Sequence, residues 1–328
     1  MKQTRWGVLG VSGHFIQRVV VPLSYSESVK VTAIASRDKS KAEGAAGQWG
    51  IEKAYGSYEE LLKDPNIDAI YNPLPNHLHL EWIKKAADAG KPMLCEKPLG
   101  LNASEVQEAI DYTEKKGVPL MEAFMYRYHP QWTRAKELAS CGEIGGVNAV
   151  QAHFFYNNAD PSNIRNRLDA GGGALLDIGC YAVSSARFLF GEEPVRAMSL
   201  IDRSPEFGTD ILASGVLQFP SGHSTFTVGT QTYGRQAVHI FGSGGAVTIE
   251  IPFNIYPDVA VPSYISTGIG ERVYEAGPDD QYRLMFEAFS QALHNGEPVP
   301  TPMEDALNNQ KVLDALFRSE ESGGWVDV

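Results

Sequence analysis

The sequence predicts an α/β protein: a doubly wound parallel sheet over residues 1–123, then a second α/β region over residues 124–328 built on a large, mostly antiparallel sheet. Three observations carry the prediction. Short apolar runs alternate with helical patterns through the first 123 residues, the signature of strand–helix–strand units. Beyond them the period changes to long strands joined by tight turns. A glycine turn stands where the first strand meets the first helix. At about 150 residues per domain, 328 residues allow roughly two domains.

Trp6-Gly7-Val8-Leu9 opens the first region as a strand, and an amphipathic stretch follows Ser12. Val29 to Ala35 is a β-branched run, succeeded by a helix over Asp38 to Trp49. Ser57 and Glu60 have capping-box spacing and start a short helix. Ile67 to Tyr71 is the next strand, and the helix from His79 stops at Gly90, a C-terminal breaker. Pro92 to Cys95, Asn102 to Lys116 with Gly117 behind it, and Pro119 to Ala123 repeat the alternation. In the second region Val147 to Phe155, Val195 to Ile201, Ile211 to Phe219, His223 to Gln231 and Ala237 to Phe241 read as strands. Pro220-Ser221-Gly222 and Gly242-Ser243-Gly244-Gly245 read as hairpin turns. A helix is inserted around Leu175 to Phe190, and Tyr282 to His294 and Met303 to Ser319 are helical patterns.

Composition narrows the function classes. Apolar residues make up 43% and charged residues 21%, which suits a globular chain. The net charge of −12 and a pI near 5.2 repel phosphate backbones, so neither nucleic acid nor an anionic membrane is an expected partner. Cys95, Cys141 and Cys180 are odd in number and widely spaced, which fits a reducing compartment and gives no zinc signature. No apolar run is expected to approach the ~18 residues of a membrane span. Met1-Lys2-Gln3-Thr4-Arg5 enters a strand with no long apolar leader. The expected setting is cytoplasmic.

Gly10, Ser12, Gly13, His14 and Phe15 form the first strand–helix turn. Glycine there lets backbone amides approach a pyrophosphate, whose charge a helix N-terminus stabilises. Gly10 fits the first position of Gly-x-Gly-x-x-Gly, whereas Ser12 and Phe15 depart from the next two. An NAD site puts an Asp or Glu after the second strand to accept from the ribose 2′-hydroxyl. Ser36 and Arg37 stand there instead and suit a 2′-phosphate, with Asp38 as the competing ligand. NADP is therefore expected over NAD.

The loop Asn72-Pro73-Leu74-Pro75-Asn76-His77-Leu78-His79 follows a strand at the carboxyl edge of the sheet, with two prolines to stiffen it. His77 and His79 are read as an exposed and a helix-capping histidine, not as metal ligands. Glu96 and Lys97, in Cys95-Glu96-Lys97-Pro98, end another strand at the same edge. In the second region Gly171-Gly172-Gly173 leads a helix on which Asp177 and Tyr181, four apart, share a face. A phenol of pKa about 10 becomes a usable proton acceptor when a cation such as Lys97 stands close.

In this order and spacing, the glycine turn, the Asn72-Pro73 loop with His79, Cys95-Glu96-Lys97-Pro98 and the helix with Asp177 and Tyr181 resemble the glucose–fructose oxidoreductase / inositol dehydrogenase / MocA family over nearly the whole chain. Met121 to Pro130 and Asp177-Ile178-Gly179-x-Tyr181 are similar to one subgroup: dimeric dihydrodiol dehydrogenases, NADP-dependent xylose dehydrogenases and glucose–fructose oxidoreductase. The resemblance implies a Rossmann domain, a C-terminal α/β domain whose open sheet makes an oligomer contact, a cleft between them, and a catalytic Lys97. Inositol dehydrogenases carry His where Tyr181 stands, which argues against inositol and makes Tyr181 the expected proton-transfer group. Lys97 is expected to stabilise the phenolate and Asp177 to orient substrate or tyrosine. The cofactor contacts expected are Gly10, Ser12, Gly13, His14, Phe15, Ser36, Arg37, Asn72, Leu74, Pro75, Asn76, His79, Glu96 and Lys97.

The expected function is an NADP-dependent oxidoreductase acting on a sugar, at aldose C1, or on a cyclic trans-diol, assembled as a homodimer or higher oligomer. Two alternatives stand beside it: a nucleotide-sensing regulatory protein of the same fold without chemistry, and an NAD-assisted lyase or glycosidase. A methyltransferase would want an acidic residue where Arg37 stands.

Overall fold

A computed structural model describes residues 3–328. Met1 and Lys2, where the reading of the N-terminus begins, lie outside the described residues. By compactness the chain divides into two units: the chain up to Met125 together with Gln281–Leu307, and Tyr126–Asp280 together with Asn308–Val328.

In the first unit, β1 (Thr4–Leu9) leads into a helix that begins at Gly13, widens to a π-turn over Phe15–Val19 and ends as α1 (Val20–Leu23). Then come β2 (Val29–Ala35), α2 (Lys39–Trp49), β3 (Lys53–Tyr55), α3 (Tyr58–Leu62) and β4 (Ala69–Asn72). α4 (His79–Asp88), β5 (Met93–Cys95), α5 (Ala103–Lys116) and β6 (Leu120–Glu122) complete the alternation. The six strands lie in the order β3-β2-β1-β4-β5-β6, every pair parallel.

The local signals act as expected. Ser57 Oγ accepts from the Glu60 amide at 3.1 Å while the Glu60 carboxylate accepts from the Gly56 amide at 3.2 Å. Gly117 ends α5 in the left-handed conformation, φ 64°. One feature is not local. The helix over Gln281–Asn295 packs onto β1, with Trp6 against Phe286 and Phe289 (ring centroids 4.6 and 5.5 Å) and the Trp6 indole donating to Ser290 Oγ at 3.2 Å. Trp6 is fully buried, so truncating it costs about 3–5 kcal/mol.

The second unit opens with α6 (Pro130–Ser140), a helix the sequence reading passes over. Pro130 occupies its first turn and His129 caps it, its ring accepting from the Gln131 amide at 3.2 Å. β7 (Val147–Asn157) is followed by a helix over residues 174–190, a π-turn at Leu175–Gly179 running into α7 (Cys180–Phe190). The remaining strands are β8 (Arg196–Arg203), β9 (Asp210–Gln218), β10 (His223–Gly229), β11 (Gln231–Gly242), β12 (Gly245–Ile249), β13 (Val261–Thr267), β14 (Gly270–Ala276) and β15 (Val326–Asp327). The helix packed on β1 is α8 (Gln281–Asn295), and α9 (Met303–Ser322) follows it.

The nine strands run β14-β13-β12-β11-β7-β10-β9-β8-β15, antiparallel except for the β7–β10 pair. Both expected hairpin turns join antiparallel neighbours, β9 to β10 and β11 to β12. One sequence expectation needs correction. Among the described residues Leu168–Phe190 is long and apolar enough by composition to cross a membrane. Its most apolar part is 83% buried, so that surface is already used as the core of this unit.

Candidate active site

The strand order β3-β2-β1-β4-β5-β6 reverses direction between β1 and β4, and ligands of doubly wound sheets bind outside the carboxyl ends of the strands at that point. The glycine turn follows β1 and the Asn72 loop follows β4, so both flank the reversal. Gly10 has φ +98°, and a Cβ there would meet a Leu74 methyl at 3.1 Å. A Cβ on Gly13 would meet nothing within 4 Å. Ser12, where the motif has glycine, caps the helix: its hydroxyl accepts from the Phe15 amide at 3.1 Å. These residues fit a dinucleotide, with a positive-φ glycine, open space beside Gly13 and a helix N-terminus to face a pyrophosphate.

At the end of β2, Ser36 is buried and its hydroxyl accepts from the Asp38 amide at 3.2 Å. Asp38 caps α2, accepting from the Ser40 amide at 3.0 Å and the Ser40 hydroxyl at 2.6 Å. The Arg37 guanidinium acts on the phenol of Tyr58, whose hydroxyl also lies 3.6 Å from the Cβ position of Gly10. Tyr58 packs edge-on against Trp82 at 4.8 Å. No sequence motif points to Tyr58.

Several expected contact residues turn inward. Phe15 is fully buried, its ring 6.2 Å from that of Tyr71. Asn72 accepts from the Leu74 amide and donates to Cys95 Sγ, which shapes the loop. His79 is fully buried with Nδ1 2.9 Å from the Pro98 carbonyl and Nε2 2.8 Å from that of Leu74, so it fastens one loop to the other. Burial pushes its imidazole below the ordinary value. His77 is exposed, and among the described residues no group of three His, Cys, Asp or Glu is placed to hold a metal.

Glu96 is buried beside Lys97. Its carboxylate accepts from the Tyr71 hydroxyl at 2.6 Å and lies 3.6 Å from His14 Nε2, whose ring meets that of Tyr282 edge-on at 5.4 Å. Burial pushes the carboxyl up, but His14, Lys97 and the Tyr71 hydroxyl outweigh it and leave the pKa below the ordinary range. Glu96 is therefore a fixed anion next to the expected catalytic lysine.

In the second unit the glycines ahead of Asp177 admit protein rather than open space. A Cβ on Gly172 would lie 2.4 Å from the Arg165 carbonyl, and one on Gly173 (φ +121°) 1.9 Å from Asp210 Oδ1. Asp210 accepts from the Leu175 amide at 2.6 Å, at the start of the helix. Asp177 Oδ2 accepts from Tyr156 Oη at 2.7 Å and Arg165 Nε at 2.9 Å. Burial, then the charge of Asp177, pushes the Tyr156 phenol well up. Tyr181 is 5% exposed and ringed by Phe253, Phe154 and Tyr126 at 5.1, 5.8 and 6.0 Å. Sequence reasoning missed Tyr156, Arg165 and Asp210, which come from other elements and carry no motif.

The first unit is a Rossmann dinucleotide-binding fold. Residues 4–124 match the family described as oxidoreductases with an NAD-binding Rossmann fold, and residues 132–248 match the GFO/IDH/MocA C-terminal domain. The chain is 40% identical to a D-xylose 1-dehydrogenase (NADP(+)) of Haloferax volcanii, over 98% of this chain and 99% of that one. It is 36% identical to the trans-1,2-dihydrobenzene-1,2-diol dehydrogenase of Mus musculus, over 75% and 74%. A 3-ketoreductase from Actinomadura kijaniata, solved with NADP and TDP-benzene, superposes with a TM-score of 0.90 at 28% identity, covering 97% and 98%. The chain belongs to the glucose–fructose oxidoreductase / inositol dehydrogenase / MocA family and is an NAD(P)-dependent dehydrogenase.

Proposed function

We propose that the protein is an NADP-dependent dehydrogenase acting on a hydroxyl-bearing carbon of a sugar, at aldose C1, or of a cyclic trans-diol. The observation that carries the cofactor choice is Asp38. Its carboxylate serves as the cap of α2, while Ser36 and Arg37 hold the position where an NAD site places its acid. Arg37 then takes the 2′-phosphate as a charge-assisted pair. The names of the relatives support a sugar or diol substrate.

The nicotinamide, when bound, supplies the hydride acceptor. Tyr181 takes the hydroxyl proton at Oη, Lys97 stabilises the phenolate, and Asp177 orients the substrate. Glu96, held by Tyr71 and facing His14, fixes the backbone that presents Lys97. A homodimer through the nine-stranded sheet and a cytoplasmic setting, with Cys95 and Cys180 as buried free thiols, belong to the same proposal. Calorimetric titration tests the cofactor: NADP⁺ binds more tightly than NAD⁺, and Arg37→Asp shrinks or reverses the preference. Equal affinities in the unmutated protein refute it. A screen of aldoses and trans-diols with NADP⁺, read at the nicotinamide absorbance, tests the substrate class.

A further inference from the structure

Asp177 is held from two sides, by Tyr156 of β7 and by Arg165 of the single turn Ile164–Asn166. Neither side chain is needed to build its own element. The register of β7 is set by its pairing with β10 and β11, and the turn at Arg165 is closed by Asn163, whose side chain accepts from the Arg165 amide at 3.0 Å. What the two share is the carboxylate.

Both converge on the helix that carries Tyr181. Asp177 lies in its π-turn and Tyr181 in the turn after it. The Tyr181 ring packs against Phe154, two residues before Tyr156 on β7. The Arg165 guanidinium is held chiefly by the charge of Asp177 and lies within electrostatic reach of the Tyr156 and Tyr181 phenols. Its side chain is 39% exposed, against 12% for Asp177. A guanidinium presents five N–H donors in a planar fork. One is engaged by Asp177, and that bond fixes the plane of the others.

The chemistry of the pair selects its ligand. A fixed donor fork beside a fixed carboxylate matches a hydroxyl next to the reacting one, which accepts from the fork and donates to the carboxylate, while the reacting hydroxyl keeps its proton for Tyr181. An anionic group fits less well, because Asp177 already balances Arg165 and the buried Asp210 acts on the same cluster.

We infer that Arg165 is a specificity-determining residue: its fork reads a hydroxyl on the carbon next to the reacting one, so the enzyme prefers vicinal diols, including the C1–C2 pair of an aldose, over analogues lacking the second oxygen. This rests on the proposed sugar or diol dehydrogenase reading, with Tyr181 as the proton-transfer group.

The test is steady-state kinetics with NADP⁺ on two matched pairs, D-glucose against 2-deoxy-D-glucose and trans-1,2-cyclohexanediol against cyclohexanol. Arg165→Gln keeps amide donors but loses the charge and the fork; Arg165→Lys keeps the charge alone. The ratio of kcat/KM between vicinal and deoxy substrates falls about 10- to 100-fold in Arg165→Gln. The loss appears mainly as a raised KM for the vicinal substrate, and Arg165→Lys recovers part of it. An unchanged ratio in a variant with the melting temperature of the parent overturns the inference. So does an equal loss on both members of each pair, which a purely structural role would give. Should Arg165→Gln not fold, the same change of smaller size in Arg165→Lys is the supporting result, and an unmoved ratio there the refuting one. If the unmutated protein oxidises none of the four with NADP⁺, the sugar or diol reading itself fails and the inference with it.

Discussion

His129 makes the second unit sensitive to acid. Its ring is fully buried at the start of α6, with Nδ1 accepting from the Gln131 amide and Nε2 without a hydrogen-bond partner among the described residues. Burial lowers its pKa from 6.5 to about 4, against the opposing pull of Asp279. In the unfolded chain the same imidazole takes up a proton once the pH drops below about 6.5. Between those values the unfolded state binds more protons, so stability falls as the pH falls. Over the interval from 6.5 to about 4, at roughly 1.4 kcal/mol per pH unit, the loss amounts to about 3 kcal/mol. His129→Asn removes the titration and keeps a side-chain oxygen suited to the cap. Urea unfolding at intervals from pH 7 to 4 gives the comparison: both proteins weaken as carboxylates protonate, and the unmutated one loses about 3 kcal/mol more. Parallel pH dependences would refute the reasoning, because the imidazole would then be titrating alike in both states.

The same geometry sets further expectations. Gly173→Ala places a Cβ against Asp210 at φ +121° and costs at least about 2 kcal/mol in strain and a lost bond to the Leu175 amide; thermal melting checks it, and an unshifted midpoint contradicts it. Tyr181→Phe and Lys97→Met each lower kcat by about 10²–10⁴, with NADP⁺ affinity nearly unchanged in Tyr181→Phe. Their combined loss is far from multiplicative if they serve one proton transfer, and full activity in Tyr181→Phe would leave Lys97 as the base. Light scattering at micromolar concentration is expected to report a dimer, and a monomer there would contradict the proposed sheet contact.

Much of the architecture was legible because its causes are local. Period alternation marked the parallel sheet, Ser57 and Glu60 marked the start of α3, and the turns at Pro220 and Gly242 marked hairpins. β13 and β14 give no clean strand signal: Pro262 and Ser263 interrupt the apolar residues of β13, and β14 is mostly exposed and carries Glu271, Arg272 and Glu275. The docking of α8 on Trp6 has no sequence signal at all, since a pattern of apolar residues says that a helix is covered but not by what. The candidate site divides in the same way. Gly10, Arg37 and Lys97 sit at strand ends that the alternation locates. Tyr156, Arg165 and Asp210 meet Asp177 and its helix only because β7, a single turn and β9 converge there.

The π-turn at Leu175–Gly179 bears on how such a site changes over time. A turn of this kind holds one residue more than an α-helix needs, and it is the shape a helix takes when it absorbs a single-residue insertion without disturbing its ends. Deleting one residue from it would let the stretch close to a regular α-helix while the segments on either side keep their phase. Only residues inside the turn, Asp177 among them, would change place relative to Tyr156 and Arg165, while Tyr181, packed against Phe253 and Phe154 beyond it, stayed. Gain or loss of one codon in this stretch can thus replace the carboxylate that meets Tyr156 and Arg165 and leave Tyr181 where it is.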